Sequence, residues 1–552
     1  MKTTRKMIAA LLVLCLALGL AACGTSSAPA ATEAPASSEA PAATEEPAAT
    51  EEPAATEEPA ATETAADSEA AADDRIIVIA QSNDISSLDP QGHNELTSGN
   101  VTRMIYDTLI RITPDNEFVP GLAESWEFED NSVTFHLRQG VKFHDGSELT
   151  AQDVAYTVDR VNASGFTQHL LTMITGTEIV DDYTIKFSLT DQSAALMSSL
   201  SHQGTGIVSK AYTEALEADG KTLSDAPCGT GPYKFDYWTV GTECQLVAFE
   251  DYYDENYAAK NAGLRYRYIA EDNSRVIALE TGEIDIMVQV PTTAIEELQA
   301  DENINVIMYT SADLNYMSPN CSKAPFDNEL LRRAVSYCID RDSMIQVQCS
   351  GYAKPNYAPI GLAAIGYSDP AVKYEYNLEK AKECLEEAGY PDGFDFTISC
   401  WGEQNAKSAQ VLQAACKQVG INVSIEILDN AGMTSKCGGA QHDVGMDNWT
   451  ANSEPDNTFR PWFLRSGIGQ GGYMWCCYEG DEIEALVEKA ASTNDQAERQ
   501  TYYSEINNFV SEHSIVWPLF SRDGVVATRS NVQGLVIPGT NQPEFQGVTI
   551  TG

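Results

Sequence analysis

Apolar positions along this chain change period repeatedly, and the changes mark out strands alternating with helices. The first apolar run has no period: Met7 to Ala22 is a block of apolar or small residues behind Lys2, Arg5 and Lys6. It is too short for a membrane span and ends in small residues, so it reads as a secretory leader. Patterned order begins at Arg75, where IIVIA (76–80) reads as a strand feeding a polar loop. Val101, Met104, Ile105, Leu109 and Ile112 recur at helical spacing and predict one helix through that segment. Val133, Phe135 and Leu137 then alternate as a strand, and Asp145-Gly146 makes a turn. Thr150 with Asp153 forms a capping box that opens a helix whose buried stripe is Val154, Val158 and Val161.

The pattern continues with a hairpin over 178–190 and a helix stopped by Gly282 before the alternating Ile284, Ile286 and Val288. The clearest unit is a strand at 394–400, a helix at 406–419 and a strand at 421–428, a spacing that predicts a right-handed parallel crossover. Helices are expected beside it at 327–341, capped by Asp327, and at 377–388, capped by Asn377 and stopped by Gly389. The sum is an α/β chain with mixed sheets in more than one lobe.

Composition changes the picture at 24–74, where Ala, Thr, Glu, Pro and Ser dominate, aromatics are absent and AATEEP repeats three times in tandem. Such a segment has nothing to bury and is expected to be a disordered tether, spanning on the order of 40 Å as a coil and roughly 160 Å when extended. Residues 75–552 remain for folded structure, enough for two or three domains with substantial cores. The net charge is −47, and removing the three leader cations and the thirteen acids of 24–74 leaves −37 on that body. So acidic a surface argues against nucleic acid and against binding anionic lipid headgroups. Of the 13 cysteines, eleven lie in the body, and they contain no C-x-x-C pair. Cys338, Cys384 and Cys416 fall on apolar faces of predicted helices and read as small buried hydrophobes, with one or two bridges left open.

Several chemical signals fail on context. Gly467, Gly469 and Gly472 satisfy G-x-G-x-x-G, but no strand precedes them and no helix follows. Gly220-Lys221-Thr222 resembles the end of a phosphate loop, yet Ala215 stands where its first glycine belongs. No G-x-S-x-G, H-E-x-x-H or EF-hand loop is present, and the seven histidines lack ligand spacing. The reading is therefore no enzyme, no metal and no cofactor.

Leu20-Ala21-Ala22-Cys23 resembles the bacterial lipobox. That likeness implies cleavage before Cys23 and two acyl chains on it, enough for stable anchoring at the outer face of the cell membrane. SLDP (87–90), PGLAESWEF (120–128), VTFHLRQGVKFHDGSELTAQDVAYTVDR (133–160), GTGPY (229–233), LETGEIDI (279–286), KAPFDNELLRRAVSYCIDRDSM (323–344) and AKECLEEAGYPDGF (381–394) follow in order. Together they resemble the extracytoplasmic solute-binding proteins of family 5, the peptide and nickel class serving ABC importers, over essentially all of 75–552.

The resemblance implies a two-lobed periplasmic-binding-protein-like fold, type II and of the large peptide-binding class, with an extra inserted subdomain. Lobe I would comprise 75–103, 226–307 and 522–552, the inserted subdomain 104–225, and lobe II 308–521, with hinges near 307–310 and 520–523. It implies a monomeric receptor that encloses an oligo- or dipeptide between the lobes and hands it to an ABC permease and its ATPase. Other solutes of the class, such as a nickel chelate held by His169 or His442 or a sugar, are the alternatives within it. A secreted hydrolase is the alternative outside it.

In peptide receptors of the family a Trp stacks near the ligand and an Asp three residues on takes its ammonium group. HDVGMDNWTANSEPDNTFRPWF (442–463) resembles that loop, with Trp449 as the aromatic but Asn452 in the Asp position; Glu454 or Asp456 would substitute. Asp84, Ile85 and Ser86 match the family's N-terminal pocket rim, and Tyr316 and Asn320 its second-lobe strand near the hinge. Trp401, at a strand end followed by Gly402, sits where open sheets bind ligands.

Overall fold

The computed structural model describes residues 73–114, 116–190, 195–451, 454–469, 473–493, 495–538 and 542–551. The leader, Cys23, the tether, Asn452 and Gly472 lie outside the described residues. A twelve-stranded mixed sheet runs through the body. Its path is Asn422–Leu428, Asp395–Trp401, Val444–Thr450, Asp313–Pro319, Trp517–Arg529, Ile286–Val288, Asp73–Gln81, Asn261–Tyr268, Glu243–Ala248 and Tyr233–Thr239. Ile304–Thr310 and Ala353–Pro355 also pair with Trp517–Arg529.

The apolar run at 76–80 is central because it is apolar on both faces. Asp73–Gln81 pairs in parallel with Asn261–Tyr268 and Ile286–Val288, and Ile77, Ile79 and Ala80 are fully buried. At the other end, Asp395–Trp401 and Asn422–Leu428 pair in parallel, linked by the helix Gly402–Lys417. That crossover seals a core in which Phe326, Ile398, Leu412 and Trp517 meet. A separate four-stranded antiparallel sheet, Ala123–Glu129, Ser132–Leu137, Thr184–Leu189 and Ile174–Asp181, packs on the helix Ala151–Ala163 around Phe135, Phe187, Val154 and Val158. The Thr150 capping box is formed, with the Thr150 N–H donating to Asp153 Oδ2 at 2.9 Å.

Trp517–Arg529 joins the two ends of the long sheet. Its first residues pair with Asp313–Pro319 and Ala353–Pro355, and its last with Ile286–Val288 and Ile304–Thr310. The chain crosses between the two halves here and again at Thr310 to Asp313, where one strand ends and the next begins.

Two expected helices end differently. The first is Leu96–Ile105, and Ile110–Ile112 is instead a strand paired with Phe118–Pro120. The Gly231 N–H donates to the Ile105 carbonyl at 2.8 Å, taking the acceptor that a continuing helix would need. The segment 327–341 divides into Glu329–Ser336, capped by Asn328, and Arg341–Cys349, capped by Asp340. Each cap side chain accepts a backbone N–H two or three residues on, so each starts its own helix. All eleven described cysteines are unbridged and nine are buried, packed as apolar groups.

Candidate functional site

Where the two halves of the sheet meet, the crossing strands floor a cavity of about 480 Å³. One wall is Leu96, Asn100, Gln289 and Val290, the other Gln348, Tyr352, Gln404 and Thr450, and the floor includes Tyr309, Ser311, Asp313 and Arg522. That volume lies in the range of small-molecule sites, roughly 300–1,000 Å³.

The floor is charged and internally braced. Arg522 grips Asp313 through two bonds, Nε to Oδ2 at 2.7 Å and Nη2 to Oδ1 at 3.1 Å. The Asp313 side chain is 5% exposed while that of Arg522 is 47% exposed, so the acid is the buried member and the guanidinium is the part that meets solvent. Asn315 Nδ2 also donates to Asp313, at 3.2 Å. Beside it, Gln348 donates to Asn315 and Asn405 and accepts from Ser408, locking two helices to the strand. Burial pushes the Asp523 carboxyl up, with Lys354 opposing. A second cavity, of about 460 Å³, lies between Asn116 and Phe118 on one side and Gly366, Tyr367, Gln500 and Tyr503 on the other.

The residues singled out from sequence fall into three groups. Asp84 is committed within the fold: it accepts from the Trp238 indole at 3.2 Å and from the Gly241 N–H, and Ile85 beside it is core. Ser86 is exposed, its N–H donating to Ser98 Oγ at 2.9 Å. Asn320 is fully buried and its amide bonds Ala440, His442 and Ser322, which leaves it nothing to offer a solute. Glu454 is likewise internal, 1% exposed and ion-paired with Arg499, while Asp456 pairs with Arg460 at 2.8 Å. Both carboxylates proposed as substitutes for the missing Asp are thus already neutralised by arginines.

Trp449 and Tyr316 come together in an aromatic cluster, Trp449 also donating from its indole to Thr458 Oγ1 at 2.9 Å. Trp401 is 42% exposed at the end of its strand, three residues before the cavity residue Gln404. Sequence reading missed Asp313, Arg522, Gln348 and Tyr352. The one available signal was position: Asp313 opens the strand that contains Tyr316, and Arg522 falls at the expected second hinge.

Comparison with known proteins agrees with this geometry. The pattern of the bacterial extracellular solute-binding proteins, family 5 Middle, matches residues 117–471. The glutathione-binding protein GsiB of Escherichia coli strain K12 is 30% identical over 482 residues, covering 84% of this chain and 92% of that protein. Among solved structures, the ABC transporter-associated periplasmic binding protein DppA of Helicobacter pylori, in complex with the peptide STSA, has a TM-score of 0.70 at 30% identity. That match covers 87% of this chain and 99% of the other. HbpA2 of Haemophilus parasuis has a TM-score of 0.81 at 26% identity, covering 87% and 100%. The two-lobed periplasmic-binding fold and the extended match over the body lead to one conclusion: this chain belongs to the bacterial extracellular solute-binding proteins, family 5.

Proposed function

We propose that the protein is a receptor that captures a short peptide between its two lobes and delivers it to an ABC permease and ATPase. Lobe I is 75–103, 226–307 and 522–552, lobe II is 308–521, and 104–225 is the inserted subdomain. The observation carrying this reading is the cavity floored by Asp313 and Arg522, walled from both halves of the sheet and large enough for a few residues of peptide. A solute there touches both lobes only when they are closed, so it stabilises closure by its differential affinity. Arg522, half exposed at the floor, is a ready partner for a solute carboxylate. The peptide in the Helicobacter relative and the glutathione named for the Escherichia one both favour a short peptide.

The receptor acts as a monomer and performs no chemistry on its cargo. Cys23, acylated after leader cleavage, holds it at the outer face of the cell membrane, and the tether gives it reach. The test is mass spectrometry of solute released from the purified full-length protein, followed by small-angle scattering with and without that solute. A bound short peptide and a measurable compaction are expected; an empty protein, or one that never compacts with any peptide pool, overturns the reading. Metabolic labelling with a palmitate analogue in wild type and Cys23→Ala tests the anchor separately.

A further inference from the structure

The two crossings between the halves of the sheet lie side by side, and one lysine reaches both. Thr310 ends the strand of the first crossing and stands opposite Asp523, on the strand of the second. Lys354, on the short strand Ala353–Pro355, stands opposite Ser521, two residues before Asp523. Residues paired in register share a sheet face, as do residues two apart on one strand, so Lys354, Asp523 and Thr310 project from the same face. There the Lys354 Nζ donates to Thr310 Oγ1 at 2.5 Å and lies 3.9 Å from Asp523 Oδ1.

The backbone draws the same three strands together, since the Asp523 N–H donates to the Tyr352 carbonyl at 3.2 Å. Gly524 comes next, and neighbouring residues of a strand point to opposite faces. On that other face Tyr309, its partner in register, lies directly against the backbone: a Cβ at Gly524 would meet the ring at 2.1 Å. The second crossing is thus gripped by a ring on one face and an ammonium group on the other.

The lysine bond joins one half of the sheet to the other. Lys354 belongs with the strands around Asp313–Pro319, whereas Thr310 belongs with those around Ile286–Val288. The Asp523 side chain is 10% exposed and that of Lys354 56%, so the acid is the fixed member and the lysine is an arm that can let go. Burial pushes the Asp523 carboxyl up, and Lys354 opposes that push. Neither Lys354 nor Thr310 is among the described residues that line the cavity. A change at either therefore acts on the angle between the halves and leaves the solute's surroundings as they are.

We propose that Lys354 is a positioning residue: by bonding Thr310 and pairing with Asp523 it holds the two lobes in their apposed arrangement, and so sets the fraction of solute-free receptor that is ready to bind. An interaction made in one arrangement and lost in another favours the first, and apparent affinity scales with the competent fraction. A charge-assisted bond from a lysine this exposed shifts that balance by about a factor of five. The consequence for affinity rests on the receptor reading, but the clamp itself is tested without solute.

The experiment is small-angle scattering of the full-length protein, freed of solute by unfolding and refolding, in low and in high sodium chloride. Lys354→Met keeps the aliphatic stem and should shift the apposed-to-open ratio about fivefold toward open, read as a larger radius of gyration. Thr310→Val should expand the protein in the same direction, while Thr310→Ser, which keeps the hydroxyl, should match wild type. The double variant should be no more expanded than Lys354→Met alone. High salt should expand wild type toward Lys354→Met and leave that variant unchanged. A lysine with a merely structural role would lower the melting temperature and leave the radius at its wild-type value. That result, or equal expansion in Thr310→Ser and Thr310→Val, overturns the proposal. A protein that releases no peptide on purification yet expands in Lys354→Met keeps the clamp and loses the receptor reading. One that carries a peptide yet scatters alike in every variant remains a receptor without this clamp.

Discussion

Replacing Arg522 with methionine removes the guanidinium and keeps much of the side-chain volume, so the change reports on charge. Asp313 then stays buried with only Asn315 and a long contact from Thr450 Oγ1 at 3.4 Å. Two unit charges about 4 Å apart at an effective dielectric of about 20 interact by about 4 kcal/mol. Because the Arg522 side chain is 47% exposed, solvent screening reduces this to about 2 kcal/mol. A fold spanning 75–552 has an unfolding entropy of about 1 kcal/mol per kelvin, so the melting temperature should fall by about 2 °C. Differential scanning calorimetry of wild type, Arg522→Met, Asp313→Asn and the double variant closes the cycle. The double variant should recover most of the loss, giving a coupling of about 2 kcal/mol. A drop of only a few tenths of a degree, or strictly additive single effects, would refute the view that this pair braces the crossing of the two lobes.

Three further outcomes are expected. His442 is fully buried and desolvation lowers it to about 4, so between pH 6.5 and about 4 the unfolded chain binds the proton that the folded one refuses. Acidification through that window therefore removes stability, by about 3 kcal/mol from this group, and a thermal-melt series from pH 7.5 to 4.5 should fall steadily, less so in a His442→Gln variant that folds. Glu454→Gln removes the carboxylate charge that Arg499 bonds and should cost about 3 kcal/mol in chemical denaturation, whether or not solute is present; a loss seen only in solute affinity would instead make Glu454 a ligand. Asn377→Ala removes the acceptor for the N–H groups of Glu379 and Lys380 and should cost about 1 kcal/mol by the same measurement.

Local rules carried the sequence reading where local forces decide. The Thr150 box, the Asn377 cap, the Gly282 stop and the 394–428 crossover all depend on neighbours within a turn or two, and each formed. The helix expected across 101–112 shows the limit: its periodicity is real, but Gly231, more than a hundred residues later, takes the Ile105 carbonyl. Site residues were hardest for the same reason. Asp313 and Arg522 are about 210 positions apart and become a pair only through sheet register. Glu454 looked available because Arg499, on a distant helix, was invisible as its partner.

Strand Trp517–Arg529 has an implication for biogenesis. It supplies a neighbour to four other strands, two in each half, and it follows all four of them in the chain. Neither half can complete its hydrogen-bonded ladder while the ribosome still holds that stretch, so a nascent chain lacking it leaves both halves of the long sheet open. Maturation waits on a strand made after every one of its neighbours. A polypeptide that must thread through a narrow export channel before it compacts gains from that delay, since premature collapse would block its passage.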